Sequence, residues 1–172
     1  MLSTSDTDRK ILGGKGETLL KLQEAGFLIP PSRFSPSDLE QAIDELGFPL
    51  VVRSSATVED GKESSFAGQF ESFLNLRSHE EVRNAVEECE NSLYTPSVVD
   101  YCKKNNITPE KVQMGVIVQR MIQPELAGVA FTINPVTGKE EVVIEAVEGL
   151  ADNLLAGNDQ RVRIRFAQRA DE

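Results

Sequence analysis

Apolar and polar positions along this chain follow two different periods. Over residues 15–25 the spacing is helical: Leu19, Leu20 and Leu22 line up with Ala25, and Gly26 is a natural stop. Gly13, Gly14 and Gly16 make the start of that helix unusually open. Phe27-Leu28-Ile29 then runs into Pro30-Pro31, an extended stretch where helix is disfavoured. Ser35 or Ser37 is placed to cap a second helix over 37–46, ended by Gly47. Pro49-Leu50-Val51-Val52-Arg53 has the pattern of a buried strand with a cation at its exit. Residues 54–69 are rich in Ser, Gly and charge and read as a loop. Period two returns in 70–76, with Phe70, Ser72, Leu74 and Leu76 on one side and Glu71, Phe73 and Asn75 on the other.

A helix is predicted over 79–93 from Val82, Ala85, Val86 and Cys89. Pro96 starts another that runs to about 104, with Val98, Val99, Tyr101 and Cys102 for its buried side. Three strands follow, over 112–120, 127–133 and 141–147. The last two flank Asn134-Pro135-Val136-Thr137-Gly138, a hairpin signal. A short helix around 149–156 and a strand over 161–166 close the chain. In that strand Arg161, Arg163 and Arg165 alternate with Val162, Ile164 and Phe166, most simply a solvated face. The class is α+β, with a largely antiparallel sheet towards the C-terminal end.

A length of 172 residues suits one domain, or one with a small extra lobe. The apolar fraction of 40% is enough for a core, so wholesale disorder is not expected. With 28 Asp+Glu against 18 Lys+Arg the formal charge is -10, which disfavours nucleic acid as a partner. A nucleotide is not disfavoured, since it needs only a few local cations. His79 is the single histidine, so a His-rich metal site or a Ser-His-Asp triad has almost nothing to draw on. Cys89 and Cys102 lack metal-site or redox-motif spacing and read as reduced thiols of a cytosolic protein. The polar, acidic start has no signal-peptide character, and no run approaches the ~18 apolar residues of a membrane span. A cytoplasmic location is expected.

Five places carry candidate chemistry. Gly13-Gly14-Lys15-Gly16 lets backbone approach an anion, with Lys15 at a helix start. The spacing is not that of a Walker A loop, and the plainer reading is a glycine-rich helix start without a ligand. Arg53 leaves its strand just before Ser54, Ser55 and Thr57; its planar fork suits two phosphate oxygens, and the hydroxyls would add neutral donors. The alternative is a salt bridge to Glu59 or Asp60. Ser64-Ser65-Phe66-Ala67-Gly68-Gln69 has the composition of a loop that closes over a ligand. In Val118-Gln119-Arg120-Met121-Ile122 a strand becomes a connector whose backbone suits a purine edge while Met121 packs on its face; a plain core strand is the alternative. Glu141, Glu145 and Glu148 are the carboxylates to test for Mg²⁺. Glu145 either faces a site or, more simply, lies on the solvent face of an edge strand.

Taken in order, Gly13-Gly14-Lys15-Gly16, VRSSATVEDGKESSFAGQFESFLNL, VIVQRMIQPELAGVAFTINPVTG and IEAVEGLADNLLAG are far more specific than any one of them. Over about 11–157 the chain resembles the N-terminal nucleotide-binding domain of pyruvate phosphate dikinase and phosphoenolpyruvate synthase, which rifampicin phosphotransferases share. The resemblance implies an ATP-grasp fold, two small α+β lobes that clamp ATP. It implies that Lys15 and Arg53 contact phosphates and carry the catalytic role. It places Gly68 and Ser72 on a phosphate-covering loop and strand, and Gln119 with the backbone near Met121 and Ile122 at the adenine.

The chain departs from the family pattern twice. The segment 27–49 is compressed to one short helix, where the family has a longer helical insert. The chain also stops at Glu172, ahead of the segment that in the family supplies acidic and Gln residues to Mg²⁺. The expectation is therefore a single truncated nucleotide-binding domain over 1–172, with smaller-lobe pieces over about 9–110 and a strand-rich part over about 111–172. ATP is the implied cofactor, Mg²⁺ is expected from the family, and its ligands here are unknown. The implied role is to position ATP for phosphoryl transfer to a carrier His on another domain or a subunit in trans. His79 lies outside the family motifs and does not replace that carrier. The isolated chain is not expected to turn over substrate. The alternative readings are a non-catalytic nucleotide-binding or regulatory module of the same fold, and a scaffold that binds no nucleotide.

Overall fold

In the computed structural model residues 12–57, 60–61, 64–65, 72–104, 107–108, 112–151 and 162–167 are described. The elements run α1 (Gly13–Glu24), β1 (Ser32–Phe34), α2 (Leu39–Leu46), β2 (Leu50–Ala56), β3 (Asp60–Gly61), β4 (Ser64–Ser65), β5 (Ser72–Leu76), α3 (His79–Asn91), a 3-10 turn (Ser92–Tyr94), α4 (Pro96–Lys104), β6 (Met114–Arg120), β7 (Leu126–Phe131), β8 (Glu141–Glu148) and β9 (Val162–Ala167). The chain divides into two units, Met1–Met121 and Ile122–Glu172. Every strand pair among the described residues is antiparallel, so the class is α+β with antiparallel sheets.

In the first unit a sheet of order β1-β6-β2-β5 is built around β2. All of β2 except Arg53 is buried. Leu50, Val52 and Ala56 of β2 and Met114, Val116 and Val118 of β6 meet Ile43 and Leu46 of α2, Val82, Ala85 and Cys89 of α3, and Val98 and Cys102 of α4. Side chains alternate across a strand, so Val51, Arg53 and Ser55 face the other way, towards α1. The strand is longer than the sequence pattern indicates. Ser54, Ser55 and Ala56 continue it, paired with Val116, Gly115 and Met114, where a loop was expected from 54 onwards.

Two other elements differ from expectation for identifiable reasons. The cap of α2 is Asp38, whose carboxylate accepts the Gln41 amide at 2.9 Å, and not Ser35 or Ser37. Ser35 instead donates its backbone N–H to the Val116 carbonyl at 2.7 Å, and its hydroxyl accepts the Val116 amide at 3.1 Å. On β5, Phe73 pairs with Val52 and Leu76 with Leu50, so the ladder gains one residue on this side. Asn75, at φ 60°, absorbs it in a bulge. Phe73 and Leu76 therefore both pack on the core, and the strict alternation predicted for 70–76 fails.

Charged groups tie the periphery to this core. The guanidinium of Arg120 donates from Nε to the Leu46 carbonyl at 2.7 Å, and from Nη2 to the same oxygen. A cation there faces the negative end of the α2 dipole. Arg33 of β1 pairs with Glu45 of α2. His79, at the start of α3, has Nδ1 2.5 Å from Glu40 and Nε2 3.2 Å from Asp44, and Arg83 meets the other Glu40 oxygen at 2.5 Å. Cys89 and Cys102 are buried thiols not joined in a disulfide, and burial pushes the Cys102 thiol pKa up.

In the second unit β8 is the central strand, between β7 and β9. The Asn134 turn forms the expected hairpin. The Asn134 side-chain oxygen accepts the amides of Val136 at 2.9 Å and Thr137 at 3.1 Å, while its nitrogen donates to Glu141. Residues 149–151 are not helical, and the rest of the helix expected over 149–156 lies outside the described residues. No helix among the described residues is long and apolar enough to cross a membrane.

Ile43 is fully buried at the α2–sheet contact. Ile43→Ala is expected to lower the unfolding free energy by about 2–4 kcal/mol, read from the urea midpoint at unchanged slope. Arg83 first and His79 second hold the Glu40 carboxyl below its ordinary 4.5. A carboxyl with a lower pKa folded than unfolded stabilises the fold above its unfolded pKa and loses that contribution as pH falls through the folded one. Wild type is therefore expected to exceed Glu40→Gln in urea midpoint at pH 7, by a small margin because the group is exposed, and to lose that margin as pH falls through the lowered folded pKa.

Candidate functional site

The site is assembled on the face of the first unit's sheet that carries α1. The helix sits very close to β2 there. An added Cβ on Gly13 would lie 1.9 Å from the Ser55 carbonyl oxygen, and Gly13 has φ +59°. Gly13 and Gly16 are the buried residues of α1, whereas Leu22 is exposed. The helix is thus held by its glycine end and not by the leucine stripe that its periodicity suggests. Close approach of backbone to backbone is what the glycines provide.

Ser55 completes the joint. Its hydroxyl donates to the Leu12 carbonyl at 2.5 Å and accepts the Gly16 amide at 3.0 Å. These are the two groups that the first turn of an ideal helix would join directly. Leu12, the residue at the N-cap position of α1, makes no side-chain cap bond, and the first turn has no acidic residue. A hydroxyl from the neighbouring strand fills the capping role. The Lys15 ammonium, one residue before Gly16, lies 3.4 Å from the Ser54 carbonyl.

The three hydroxyls that follow Arg53 do not form one set of donors beside it. Ser55 is used by α1, and Ser54 is fully buried with its side chain on the opposite face. The Thr57 hydroxyl accepts the Gln113 amide at 3.1 Å. Arg53 itself is half-buried, paired across the ladders with Ser72 of β5 and Ile117 of β6. Glu59 and the side chain of Asp60, its candidate salt-bridge partners, lie outside the described residues.

Alternation along β6 puts Gln119 on the same face as Arg53. Gln119 is 6% exposed and donates from its amide nitrogen to the Ser32 hydroxyl at 2.8 Å; Ser32 in turn donates to the Pro30 carbonyl at 2.7 Å. Met121 is buried, and its backbone N–H is taken by the Pro49 carbonyl at 2.9 Å. Ile122 is exposed and begins the second unit. Gly68 lies outside the described residues. One sheet face thus gathers Lys15 from α1, Arg53 from β2, Ser72 from β5 and Gln119 from β6. Arg53 is not at the exit of its strand, as the sequence pattern suggests, but at the middle of β2; that cation and the one at a helix start can grip an anion, and the buried amide of Gln119 adds a directional polar group. The sequence does not point to Ser32 or to the bridging use of Ser55, because β1 is only three residues long and has no strand signature.

The three candidate carboxylates are not grouped with one another. Glu141 is bound by Asn134, and Glu145 pairs with Arg163 directly across the β8–β9 ladder. The edge-strand expectation for Glu145 fails: β8 is not an edge strand, and the residue is 13% exposed at its side chain. Glu148, the other carboxylate considered, is exposed at the end of β8. Arg163 is accordingly an ion-pair partner rather than part of a purely solvated face, while Arg161 lies outside the described residues. Among the described residues no three His, Cys, Asp or Glu side chains converge as metal ligands. The described residues thus hold no all-protein metal cage.

The sequence pattern described as "Pyruvate phosphate dikinase, AMP/ATP-binding domain" matches residues 36–172. That span includes Arg53, Gly68, Ser72, Gln119, Met121 and Ile122 and begins after Lys15. A probable phosphoenolpyruvate synthase of Methanothermobacter thermautotrophicus is 42% identical over 109 residues, 63% of this chain and 16% of that protein. A rifampicin phosphotransferase of a Streptomyces species is 42% identical over 107 residues, 62% of this chain and 12% of that protein. The phosphoenolpyruvate synthase of Pyrococcus furiosus is 35% identical over 166 residues, 91% of this chain and 20% of that protein. The chain therefore spans a fifth or less of the length of these relatives.

Gly13→Ala is expected to force α1 off β2 and to cost more than about 2 kcal/mol in urea unfolding. Gly26→Ala is the control: Gly26 is at φ +86° with nothing within 4 Å, so it meets backbone strain without collision and should cost less.

Proposed function

Because this chain belongs to the pyruvate phosphate dikinase AMP/ATP-binding domain family, we propose that it binds ATP with the phosphates against Lys15 and Arg53. In this reading it is the ATP-binding part of a phosphotransferase of the ATP-grasp type. The observation that carries the reading is the convergence of Lys15, Arg53, Ser72 and Gln119 on one sheet face. Arg53 supplies a bidentate fork and Lys15 a point charge, which suits a polyanion that must be held and oriented. Gly68 and Ser72 cover the phosphates. Gln119 and the connector at Met121 and Ile122 take the adenine. With the Met121 N–H already given to Pro49, the purine edge is left to the Gln119 side chain and the carbonyls of this stretch.

Chemistry on such a face is positioning and charge neutralisation, with little covalent work for the protein. Lys15 and Arg53 draw charge from the phosphate oxygens and fix the direction of the transferred group. The acceptor is a carrier histidine on another domain or chain. His79 is not that group, since both its ring nitrogens lie against carboxylates of α2.

Calorimetry on the intact chain is expected to show ATP binding, weakened about 10- to 100-fold by Arg53→Ala, the range of a lost charge-assisted pair. ATP should raise the melting temperature of wild type and not of the variant. A chain that shows neither effect is not an ATP-binding domain of this kind. Repeating the titration with and without Mg²⁺ separates phosphotransferase from regulatory module: binding insensitive to the metal favours the module. Steady-state ATP hydrolysis by the isolated chain would refute the need for a separate acceptor.

A further inference from the structure

We propose that Ser55 is a positioning residue for the phosphate grip: it acts through Lys15 and sets the spacing between the two cations. The inference rests on the reading of Lys15 and Arg53 as phosphate ligands and names a residue which that reading does not use. Arg53 and Ser55 are two residues apart on β2, on the same face, about 6.8 Å along the strand. From that one strand Arg53 projects directly, and Ser55 takes hold of the first turn of α1. It does so by two hydrogen bonds, to the Leu12 carbonyl and from the Gly16 amide, which bracket Lys15 in sequence. The hydroxyl is fully buried.

Alternative anchors for this turn are few. The α1 cap position is Leu12, which makes no side-chain cap bond, and the leucines of α1 are not its buried residues. The contact of Gly13 with the Ser55 carbonyl fixes how near the helix lies, since an added Cβ there would be 1.9 Å from that oxygen. The hydroxyl fixes its rotation and its depth along β2. Without the hydroxyl the helix keeps its proximity and loses its register. Lys15 then samples positions that no longer match a phosphate chain whose other oxygens are held by Arg53. Pre-organisation of two charges is lost while both charges remain.

The test uses the intact chain, titrated calorimetrically with ATP and with AMP well below the melting temperature of each variant. Ser55→Ala should weaken ATP about 5- to 20-fold and leave AMP within about twofold, because only the longer phosphate chain needs both cations. Thr57→Ala removes another hydroxyl at the end of β2, one that accepts the Gln113 amide and has no hydrogen bond to α1 among the described residues, and should change neither ligand. In a double-mutant cycle Ser55→Ala should cost almost nothing further on a Lys15→Ala background. Equal losses for ATP and AMP, unchanged ATP affinity, or full additivity with Lys15→Ala would each overturn the proposal. If wild type binds no ATP, or Lys15→Ala costs nothing, the phosphate reading of Lys15 fails by itself. Amide exchange tests separately whether the Ser55 hydroxyl holds the turn. Ser55→Ala must raise exchange selectively at Gly14, Lys15 and Gly16, and protection equal to wild type would overturn it.

Discussion

A strand covered on both faces has no solvent to turn to, and β2 is such a strand. Three helices cover one side and α1 the other, so each polar atom of Leu50–Ala56 needs a partner inside the protein. Two ladders, to β5 and β6, take the backbone. The two serines are the remaining burden, and Ser55 turns it into an advantage by holding the start of α1. Small residues on both sides of this contact, Gly13 and Ser55, are what allow a helix and a strand to approach so closely. The first unit's remaining arrangement follows from that sandwiching. Arg53 is the one residue of β2 that is not buried.

Much of this is legible in the sequence. Val82, Ala85 and Cys89 at helical spacing give α3 its buried side, and the Asn134 turn announces the β7–β8 hairpin. The elements that differ from expectation share a physical cause: a tertiary partner overrides a local preference. Ser54-Ser55-Ala56 has loop composition, yet it is strand because β6 supplies a ladder and α1 a hydrogen-bond acceptor. Leu22 fits an apolar stripe, yet it is exposed because α1 docks through its glycines. Asn75 fits an alternating strand, yet it sits in a bulge that returns Leu76 to the core. For the candidate site, the sequence alone identifies Arg53 and Lys15 as cations beside small residues. It does not say that a serine between them in space joins their supports, because that depends on which face of β2 meets α1.

A formal charge of -10 is compatible with a phosphate grip of this kind. Net charge describes the far field, which screening cuts off over about 8–10 Å at ordinary ionic strength. Recognition of a phosphate chain happens inside that distance. Acidic residues of the first unit are also drawn into pairs on the other side of the sheet, as Glu40 and Asp44 with His79, Glu40 with Arg83, and Glu45 with Arg33. Those pairs stitch α2 to α3 and β1, on the opposite face from Lys15 and Arg53. An acidic protein can therefore present a locally cationic face without contradiction.

The strand order β1-β6-β2-β5 has a consequence for how the first unit comes into being. β6 is its last strand in sequence and yet lies between two of its earliest. Neither β1 nor the long edge of β2 has a neighbour until β6 arrives, and that pairing closes a long loop whose entropy must be met before any contact repays it. A chain growing from its N-terminus would carry α1, β1 and β2 for some time with half of their surfaces uncovered. Helices α3 and α4 would emerge before the sheet on which they pack is complete. Assembly of this unit is thus a closing event, in which one late segment slides into a gap prepared by the early ones.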